Sequence, residues 1–519
     1  MGLDLVDVSR WQFGITTVYH YIFVPLTLGL TPMVAIFQTL WHRTGNERWY
    51  QATRFFGNIM LINFAMGIVT GIVQEFQFGM NWSEYSSFVG DVFGAPLAFE
   101  GLMAFFFESV FLGVWIFGWG RIPRWAHLTS IWVVAVAVNV SAYWIIVANS
   151  FMQHPVGAVY NPETGRAELV DFIALLTNPT ALQAFPHAMF GGWVLAGTLV
   201  CSIAGWWMVR EARAGDPTGV AASLWRKASR FGAWVIIVGS FGLAVTGDLL
   251  AKLLFTQQPM KMASAEALCR TEMDPHFSVL SFSSLNTCND AVQIIGLPYV
   301  LPFLAQGKFT GVELRGVLDL QAEYEALYGP GNYTPNLFVT YWSFRVMIGF
   351  MAVSFLLALA ALIFTRGGRT PRAKWIQPVA LLCIPAPFLS NMAGWVFTEM
   401  GRQPWIVHPN PEFQGQNPAG GQQNIMMIVQ DGVSNHSTWQ VVLSLTVFTL
   451  LYGAGAVLWF ILVKRQVLAG IDQPGMRDGD ADRVAEISYG PPEDADLEPL
   501  AFSDAATGGS TAVALKEGE

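Results

Sequence analysis

Charged residues and cysteines are both scarce in this chain. Only 13% of its 519 positions are charged and 53% are hydrophobic, and the whole sequence contains four cysteines. Soluble globular proteins carry about 25% charged residues, so the shortage of charge excludes that class. The sequence also lacks a repeat of fixed period and a nucleotide-binding glycine pattern, and nothing in it indicates nucleic-acid binding. The composition predicts an all-α integral membrane protein that crosses the bilayer several times.

Long apolar runs are what the sequence has instead. Windows of about 20 apolar residues predict nine transmembrane helices. The opening segment MGLDLVDVSRW is acidic and has neither a basic region nor a small-residue cleavage site, so we expect it to remain in the mature protein. The predicted spans are 13–40, 55–79, 94–118, 127–150, 183–209, 231–255, 338–365, 376–398 and 438–463.

The distribution of basic residues predicts the orientation of these helices. Most Lys and Arg residues near the spans follow the first, third, fifth and seventh, whereas the short connections on the other side carry only Arg166 and Arg402. By the positive-inside rule, the N-terminus lies outside and the C-terminus lies in the cytoplasm. Nine spans agree with that inversion.

The predicted topology divides the chain into four parts. Residues 1–255 hold helices one to six, and residues 338–465 hold helices seven to nine. Between them, residues 256–337 form a large extracytoplasmic loop, and loops of that length are usually functional or disordered. Residues 466–519 are rich in Asp, Glu, Gly and Pro, which predicts a disordered acidic cytoplasmic tail.

The cysteines separate by location. Cys201 and Cys383 fall in predicted spans and are most simply small buried residues. Cys269 and Cys288 both fall in the extracytoplasmic loop, where an oxidising compartment allows a disulfide. Their separation is compatible with a bridge, which makes them a candidate pair, and it is equally compatible with two free thiols.

Polar residues are predicted to gather at one depth, near the outer ends of five helices. A charged group in the bilayer core costs about 2.5–3.5 kcal/mol or more on insertion scales, so such a cluster points to function. For a lone His near a helix end, a hydrogen-bonded interfacial residue is the simpler interpretation, and for a lone Met in a span it is packing. The members are His20, Glu100, His187, Arg345, Met347 and Glu399.

Heme is the cofactor that best fits histidine, methionine and carboxylate in an apolar shell. Zinc and calcium require denser ligand clusters than this sequence offers. Two familiar heme classes are excluded by histidine usage. A heme-copper oxidase needs many intramembrane histidines with an adjacent pair, and a cytochrome b of the quinol–cytochrome c reductase kind needs two on each of two helices. This chain has eight histidines and no His-His.

Five segments resemble the signatures of subunit I of cytochrome bd-type quinol oxidases, and the resemblance runs through all nine spans. Of these, GRQPW after an intramembrane Glu is the most specific. Only the acidic tail lies outside the resemblance. The segments are FGITTVYHYIFVPLTLG, AFEGLMAFFFESVFLG, AFPHAMFGGW, YWSFRVMIG and GWVFTEMGRQPW.

The resemblance implies three hemes. It makes His20 the ligand of the iron of heme d, with Glu100 beside that heme, and Glu399 the ligand of high-spin heme b. It makes His187 and Met347 the two axial ligands of low-spin heme b. A His/Met pair fills both axial positions, whereas a single His or Glu leaves a face open for O₂.

Further residues receive roles from the same resemblance. Trp395, four residues before Glu399, lies between hemes and assists electron transfer, although packing explains the spacing equally well. Arg345 and Arg402 bind heme propionates, with interfacial snorkelling as the alternative.

Proton and quinol sites complete the implied machinery. Glu108 relays protons with Ser109 and Ser141, and a static hydrogen bond is the alternative for Glu108. In the loop segment QPMKMASAEAL, Lys261 and Glu266 match the functional Lys and Glu of the quinol-binding loop, and an interfacial helix with incidental charges is the alternative.

The function implied is that of a terminal respiratory oxidase in the bacterial inner membrane. It oxidises quinol outside and reduces O₂ to water with cytoplasmic protons, which generates proton motive force without pumping. Its partners are polytopic subunit II and small single-span subunits. The sequence leaves open whether the quinol is menaquinol or ubiquinol, and whether heme b replaces heme d as in paralogous oxidases. An ion-coupled transporter and an inactive scaffold are the rivals from other classes.

Overall fold

The computed structural model describes residues 4–214, 220–282, 288, 292–411 and 424–471. Most of the tail predicted as disordered therefore lies outside the described residues. The α-helices are α1 (Leu5–Thr44), α2 (Glu47–Met80), α3 (Ser83–Phe99), α4 (Phe105–Phe117), α5 (Arg124–Gln153), α6 (Phe172–Leu176), α7 (Pro179–Ala214), α8 (Val220–Gln257), α9 (Pro259–Ala265), α10 (Val300–Gln306), α11 (Val317–Tyr328), α12 (Leu337–Phe364), α13 (Ile376–Leu382), α14 (Pro385–Met400), α15 (Val429–Gly432) and α16 (Thr438–Ala469).

In this described part, nine helical segments are long and apolar enough to cross a membrane, which confirms the predicted all-α fold. The helices extend past the predicted spans, because polar turns continue them beyond the hydrocarbon. The first, predicted over 13–40, runs over Leu5–Thr44, which is about 60 Å at 1.5 Å per residue. The last continues to Ala469.

Two of the nine segments are irregular. Between α3 and α4 the chain forms a π-helical turn, Glu100–Ala104, and such turns are frequent at functional sites. The eighth segment is divided into α13 and α14, and Pro385 stands at the first position of α14. Both irregularities lie in segments that carry a predicted site residue.

Close helix packing builds the core. Helix α1 packs against α2 and α7, and α7 packs along α8. At the α1–α7 crossing, a Cβ added to Gly29 would overlap the Gly192 carbonyl, so both glycines permit close backbone approach. Large apolar side chains fill the adjoining space, among them Phe37, Phe56 and Trp115.

The short strands lie outside the nine spans, in four two-stranded antiparallel sheets. Together with α9, α10 and α11, they lie at one end of the bundle, which we call the loop face. The C-terminal ends of α2, α5, α8 and α14 and the N-terminal end of α16 lie at this same face. The pairs are β1 (Ala158–Asn161) with β2 (Arg166–Leu169), β3 (Glu272–Met273) with β6 (Glu313–Leu314), β4 (Phe277–Phe282) with β5 (Val292–Leu297), and β7 (Trp405–Val407) with β8 (Met427–Ile428).

Candidate functional site

His20 is held by a threonine and a glycine of the neighbouring helix. Its Nδ1 lies 2.8 Å from the hydroxyl of Thr70 on α2. The next residue, Gly71, lies beside the ring, and a Cβ there would be 3.2 Å from the His20 Cε1 atom. Because that distance is tighter than ordinary van der Waals contact, a larger residue would press on the imidazole.

His187 is held in the same way on a different helix pair. Its Nδ1 lies 3.0 Å from the hydroxyl of Thr246 on α8. The next residue is again a glycine, Gly247, whose added Cβ would be 3.3 Å from the His187 Cε1 atom.

The threonines fix which nitrogen of each ring carries the proton. Thr70 donates its only hydroxyl proton to the Met66 carbonyl at 2.8 Å, and Thr246 donates to the Gly242 carbonyl at 2.8 Å. Each hydroxyl oxygen must therefore accept from the histidine Nδ1–H. The lone pair of Nε2 is then free, as an axial iron ligand requires.

A buried histidine of α5 gives the opposite result. His127 has its Nε2 2.9 Å from the Trp115 carbonyl, so this nitrogen carries the proton and donates. Its Nδ1 lies 2.8 Å from the amide nitrogen of Gln38, from which it accepts. Both ring nitrogens are used within the protein, so His127 is a structural residue.

Met347 lies on α12, which packs against both α7 and α8. A Cβ added to Gly394 would lie 2.9 Å from the Met347 Sδ atom, so α14 leaves space there for the thioether. The backbone of Met347 is fixed as well, because its carbonyl accepts a 2.6 Å hydrogen bond from Ser390.

Glu399 ends α14 and is oriented by two partners. Its Oε1 accepts a 2.8 Å hydrogen bond from Asn149, near the end of α5, and its Oε2 is 2.5 Å from Arg402. Arg402 is 3% exposed, and its Nε and Nη1 are buried without a partner among the described residues. A buried guanidinium with an unused edge fits a carboxylate ligand such as a heme propionate.

Lys261 is fully buried against the end of α5. Its Nζ donates to the Gln153 Oε1 at 2.7 Å, and the same oxygen accepts from Gln258 at 2.9 Å. Burial lowers the pKa of Lys261 to about 7, the positive charge of Arg402 lowers this pKa too, and Glu399 opposes the shift. This amine therefore changes charge near neutral pH.

Glu266 and Arg345 form a second buried pair, with Glu266 Oε2 2.7 Å from the guanidinium. Arg345 also donates to the carbonyls of Ser278 and Ala265. Burial raises the pKa of Glu266, and the Arg345 charge opposes that rise. Most donors of Arg345, predicted to bind a propionate, are thus directed at the loop.

The predicted proton-path residues are only partly brought together. Glu100, 4% exposed, accepts a 2.8 Å hydrogen bond from Ser141 of α5 through Oε1, and its Oε2 is buried without a partner in the described chain. Glu108 is also buried. Ser109 lies on the exposed side of α4 and bonds the Phe106 carbonyl at 3.2 Å.

Two further predicted features have clear positions. The Trp395 indole stacks on the Tyr21 ring, with centroids 5.0 Å apart, and Tyr21 directly follows His20. The aromatic contact therefore joins the α14 segment that carries Glu399 to the helix that carries His20. Cys269 and Cys288 form a disulfide with Cα atoms 5.3 Å apart, while Cys201 and Cys383 are free.

These groups suit heme better than a bare metal ion. In the described ranges, no three His, Cys, Asp or Glu side chains cluster as ligands of a metal ion. The candidate ligands instead lie singly on separate helices, as ligands of a large planar group can. The free Nε2 atoms of His20 and His187, the Met347 thioether and the unused edge of Arg402 match the ligand and propionate contacts of heme.

Sequence reasoning missed the residues that hold the predicted ligands. Thr70, Thr246 and Asn149 contact His20, His187 and Glu399. The signal was present for two of them, because Val-Thr-Gly occurs at 69–71 and again at 245–247. Gln153, which holds Lys261, has no comparable signal.

Comparisons with known proteins identify the family of this chain. The family described as cytochrome bd terminal oxidase subunit I matches residues 8–471. The chain is 39% identical to cytochrome bd ubiquinol oxidase subunit 1 of Bacillus subtilis (strain 168), over 91% of this chain and 95% of that protein. It is 35% identical to cytochrome bd-II ubiquinol oxidase subunit 1 of Escherichia coli (strain K12), over 78% and 88%. The structure of bd oxidase from Geobacillus thermodenitrificans superposes with a TM-score of 0.75 at 25% identity, over 90% of this chain and 98% of that chain.

Proposed function

The chain belongs to the cytochrome bd terminal oxidase subunit I family, and from that premise we propose how its residues divide the work of a quinol oxidase. It is a multi-pass protein of the bacterial membrane, and its enzyme couples quinol oxidation to O₂ reduction with heme cofactors. The observation that carries the finer proposal is the pair of histidines whose Nδ1 atoms are bound by threonines, which leaves both Nε2 atoms free.

The protein holds three hemes by separate ligand sets. His20 binds the iron of heme d, His187 and Met347 bind low-spin heme b, and Glu399 binds high-spin heme b. When bound, the hemes supply the electron transfer and the binding and reduction of O₂. The residues around them orient the ligands, and Arg402 offers its unused edge to a propionate.

Quinol binds at the loop face, between the two buried ion-pair networks. Quinol oxidation releases two protons, so the site needs groups that accept them. Glu266 is suited to this role because its raised pKa brings its protonation closer to neutral pH. Lys261, with a pKa of about 7, donates a hydrogen bond to a quinol oxygen when the lysine is charged.

Protons for water formation arrive from the opposite end of the bundle. Glu108 and Glu100 are two buried carboxyl groups of one transmembrane segment, and Ser141 donates to Glu100. They are eight residues apart, or about 12 Å along a helix. Ser109 points away from them, so its contribution to the path depends on a neighbouring subunit.

Sidedness makes this chemistry electrogenic. The basic connections lie opposite the loop face and, by the positive-inside rule, in the cytoplasm. Protons released from quinol outside and taken up from inside then separate charge without a pump. Subunit II and small single-span subunits complete the complex, with menaquinol or ubiquinol as reductant.

The test is turnover of the purified complex in sealed liposomes. We expect O₂ uptake that depends on quinol. We also expect acidification on the side of the loop face, and an uncoupler should abolish this acidification. Glu266→Gln should raise KM for quinol with the heme spectrum unchanged. The matched control is Asp248→Asn, a carboxyl on α8 that pairs only with Lys252 in the described structure. O₂ uptake that does not depend on quinol would refute the proposal.

A further inference from the structure

A ladder of hydrogen-bonded polar side chains joins α1 to α2 over the half of each helix that lies nearer the loop face. Reading inward from the loop face, Gln12 bonds Gln77, Thr17 bonds Gln74 and His20 bonds Thr70. The residue numbers of each pair add to about 90, as expected for two antiparallel helices in constant register. This ladder, which we call the polar seam, leads directly from the loop face to His20.

The seam is enclosed by a third helix. Helix α16 packs against both α1 and α2, and its Ser444 donates to the Gln12 Oε1 at 2.9 Å. Two turns further along α16, the Tyr452 ring stacks on Tyr19, the neighbour of His20, with centroids 4.5 Å apart. The seam is therefore an interior feature with its deep end beside the candidate O₂ site.

Several atoms of the seam have no partner among the described residues, although they are buried. They are the Gln77 Nε2, the Gln74 Oε1, the Asn81 Nδ2 and the Tyr19 and Tyr452 hydroxyls. Gln77 is 0% exposed and Asn81 is 3% exposed. A ladder that only fastened two helices would pair its amides with each other, whereas these side chains keep donors and acceptors that the described residues leave unused.

The outer end of the seam reaches the protein surface. The Asn81 carbonyl accepts from the Ser434 N–H at 2.9 Å, and the exposed His436 lies 2.9 Å from the Met80 carbonyl. From Asn81 to Thr70 is eleven residues, or about 16 Å along α2.

We propose that the polar seam is a hydrated path through which product water leaves the O₂ site towards the loop face. This inference rests on the proposed function, since reduction of O₂ by four electrons and four protons yields two water molecules that must leave an apolar interior. The unpaired amide and hydroxyl groups supply the two to four partners that each ordered water requires.

The seam is distinct from the carboxyl groups assigned to proton uptake. Glu100 and Glu108 lie on the α3–α4 segment and Ser141 on α5, whereas the seam runs between α1, α2 and α16. Water egress and proton entry thus use different helices.

Hydroxyl-radical footprinting of the intact complex tests whether the seam holds water, because radiolysis labels side chains beside bound water. Tyr452 is the reporter, since it is buried, its hydroxyl has no partner among the described residues, and its ring stacks on Tyr19, the neighbour of His20. Met33 is the dry reference, 3% exposed in the apolar core. We expect Tyr452 to be labelled in the wild type and Met33 to be protected. Protection of both would overturn the proposal.

Substitution then tests the egress role. Gln77→Leu should reduce Tyr452 labelling at least threefold and lower maximal turnover, with the heme spectrum unchanged. Gln38→Leu is the matched control, a buried glutamine of α1 whose amide atoms bond Trp115 and His127; it should leave Tyr452 labelling unchanged.

The outcomes separate the two proposals. Unchanged turnover in Gln77→Leu with reduced labelling would overturn the egress role and leave the oxidase function intact. A wild-type complex without heme would refute the proposed function, whatever the labelling shows.

Discussion

The helix pairs α1–α2 and α7–α8 hold a histidine by the same device and surround it differently. In both, a Val-Thr-Gly segment of the second helix supplies a hydroxyl to Nδ1 and a glycine beside the ring. Around His20 the adjoining helices are polar, with the polar seam on one side. Around His187 they are more apolar, since Gly242 admits the Phe190 ring and Gly239 faces Val194.

We call the threonine and glycine beside each histidine ring, Thr70 with Gly71 and Thr246 with Gly247, its mount. The difference between the two sites shows that the mount and the other residues around the ring have separate roles. The mount fixes the tautomer and the direction of Nε2, so it suits either histidine to be a metal ligand. The other residues around the histidine determine which chemistry the site supports. Apolar surroundings suit electron transfer, while a site with polar access suits O₂ chemistry.

The largest expected effect comes from substituting Met347. On the proposed assignment, Met347→Leu would remove the second ligand of low-spin heme b and should make the His187 site resemble the His20 site. We expect the low-spin b spectrum to become high-spin, carbon monoxide to bind there, and turnover to fall about a hundredfold or more, above the range for outer-shell changes. A retained low-spin spectrum would exclude Met347 as a ligand.

The shared mount predicts parallel losses from Thr70→Val and Thr246→Val. Each change removes the acceptor of Nδ1–H with little change in volume, and should lower heme retention or activity about 10–100-fold. Thr→Ser at the same positions should restore it. The control is Thr198→Val, which removes a buried hydroxyl that bonds only its own helix. An equal loss in the control would reduce the effect to general destabilisation.

The loop-face network predicts a pH effect that the two histidine sites do not share. Lys261 is charged below its pKa of about 7 and neutral above it, so KM for quinol should rise as pH increases through 7. Gln153→Glu places a negative charge beside Lys261 and should raise this pKa by about 1–3 units, which moves the inflection to higher pH. Gln258→Glu is the adjacent comparison, with a weaker expected shift because Gln258 does not contact the amine. If the inflection of KM stays near pH 7 in Gln153→Glu, the inflection does not arise from Lys261.

The smallest expected effects come from the glycines of the mounts. In Gly71→Ala or Gly247→Ala, crowding of the ring should cost about 1–3 kcal/mol, partly offset by the 0.5–1 kcal/mol by which alanine favours a helix over glycine. We expect a modest fall in the thermal midpoint of heme release and a small shift of the heme absorption. Gly113→Ala, at a helix position with nothing within 4 Å, should be neutral or stabilising.

Much of the fold was predictable because apolar run length is a local property. All nine spans follow from windows of about 20 residues, and a bilayer imposes that length directly. Helix ends were less predictable, since Leu5 to Gln12 continue α1 through tertiary contacts rather than hydropathy. The π-helical turn at Glu100 depends on packing between α3, α4 and α5, which no window of sequence shows.

The site was predictable as a set of residue types and not as a set of contacts. His20, His187, Met347 and Glu399 were identified from motifs of the family, whereas their partners Thr70, Thr246 and Asn149 lie up to 250 positions away in sequence. The ion pair between Glu266 and Arg345, which is predicted to bind a propionate, was also not visible in the sequence. Pairings across helices require the three-dimensional arrangement, because many residues compete for each polar group.

The most direct test of the central claim, that His20 and His187 are the mounted heme ligands, is the reduced-minus-oxidised absorption spectrum with a pyridine hemochrome assay. It should be measured on the purified wild-type complex and on His187→Ala and His127→Ala. We expect two b hemes and heme d in the wild type, selective loss of the low-spin b signal in His187→Ala, and an intact spectrum in any folded His127→Ala. An unchanged spectrum in His187→Ala, or the same loss in His127→Ala, would contradict it.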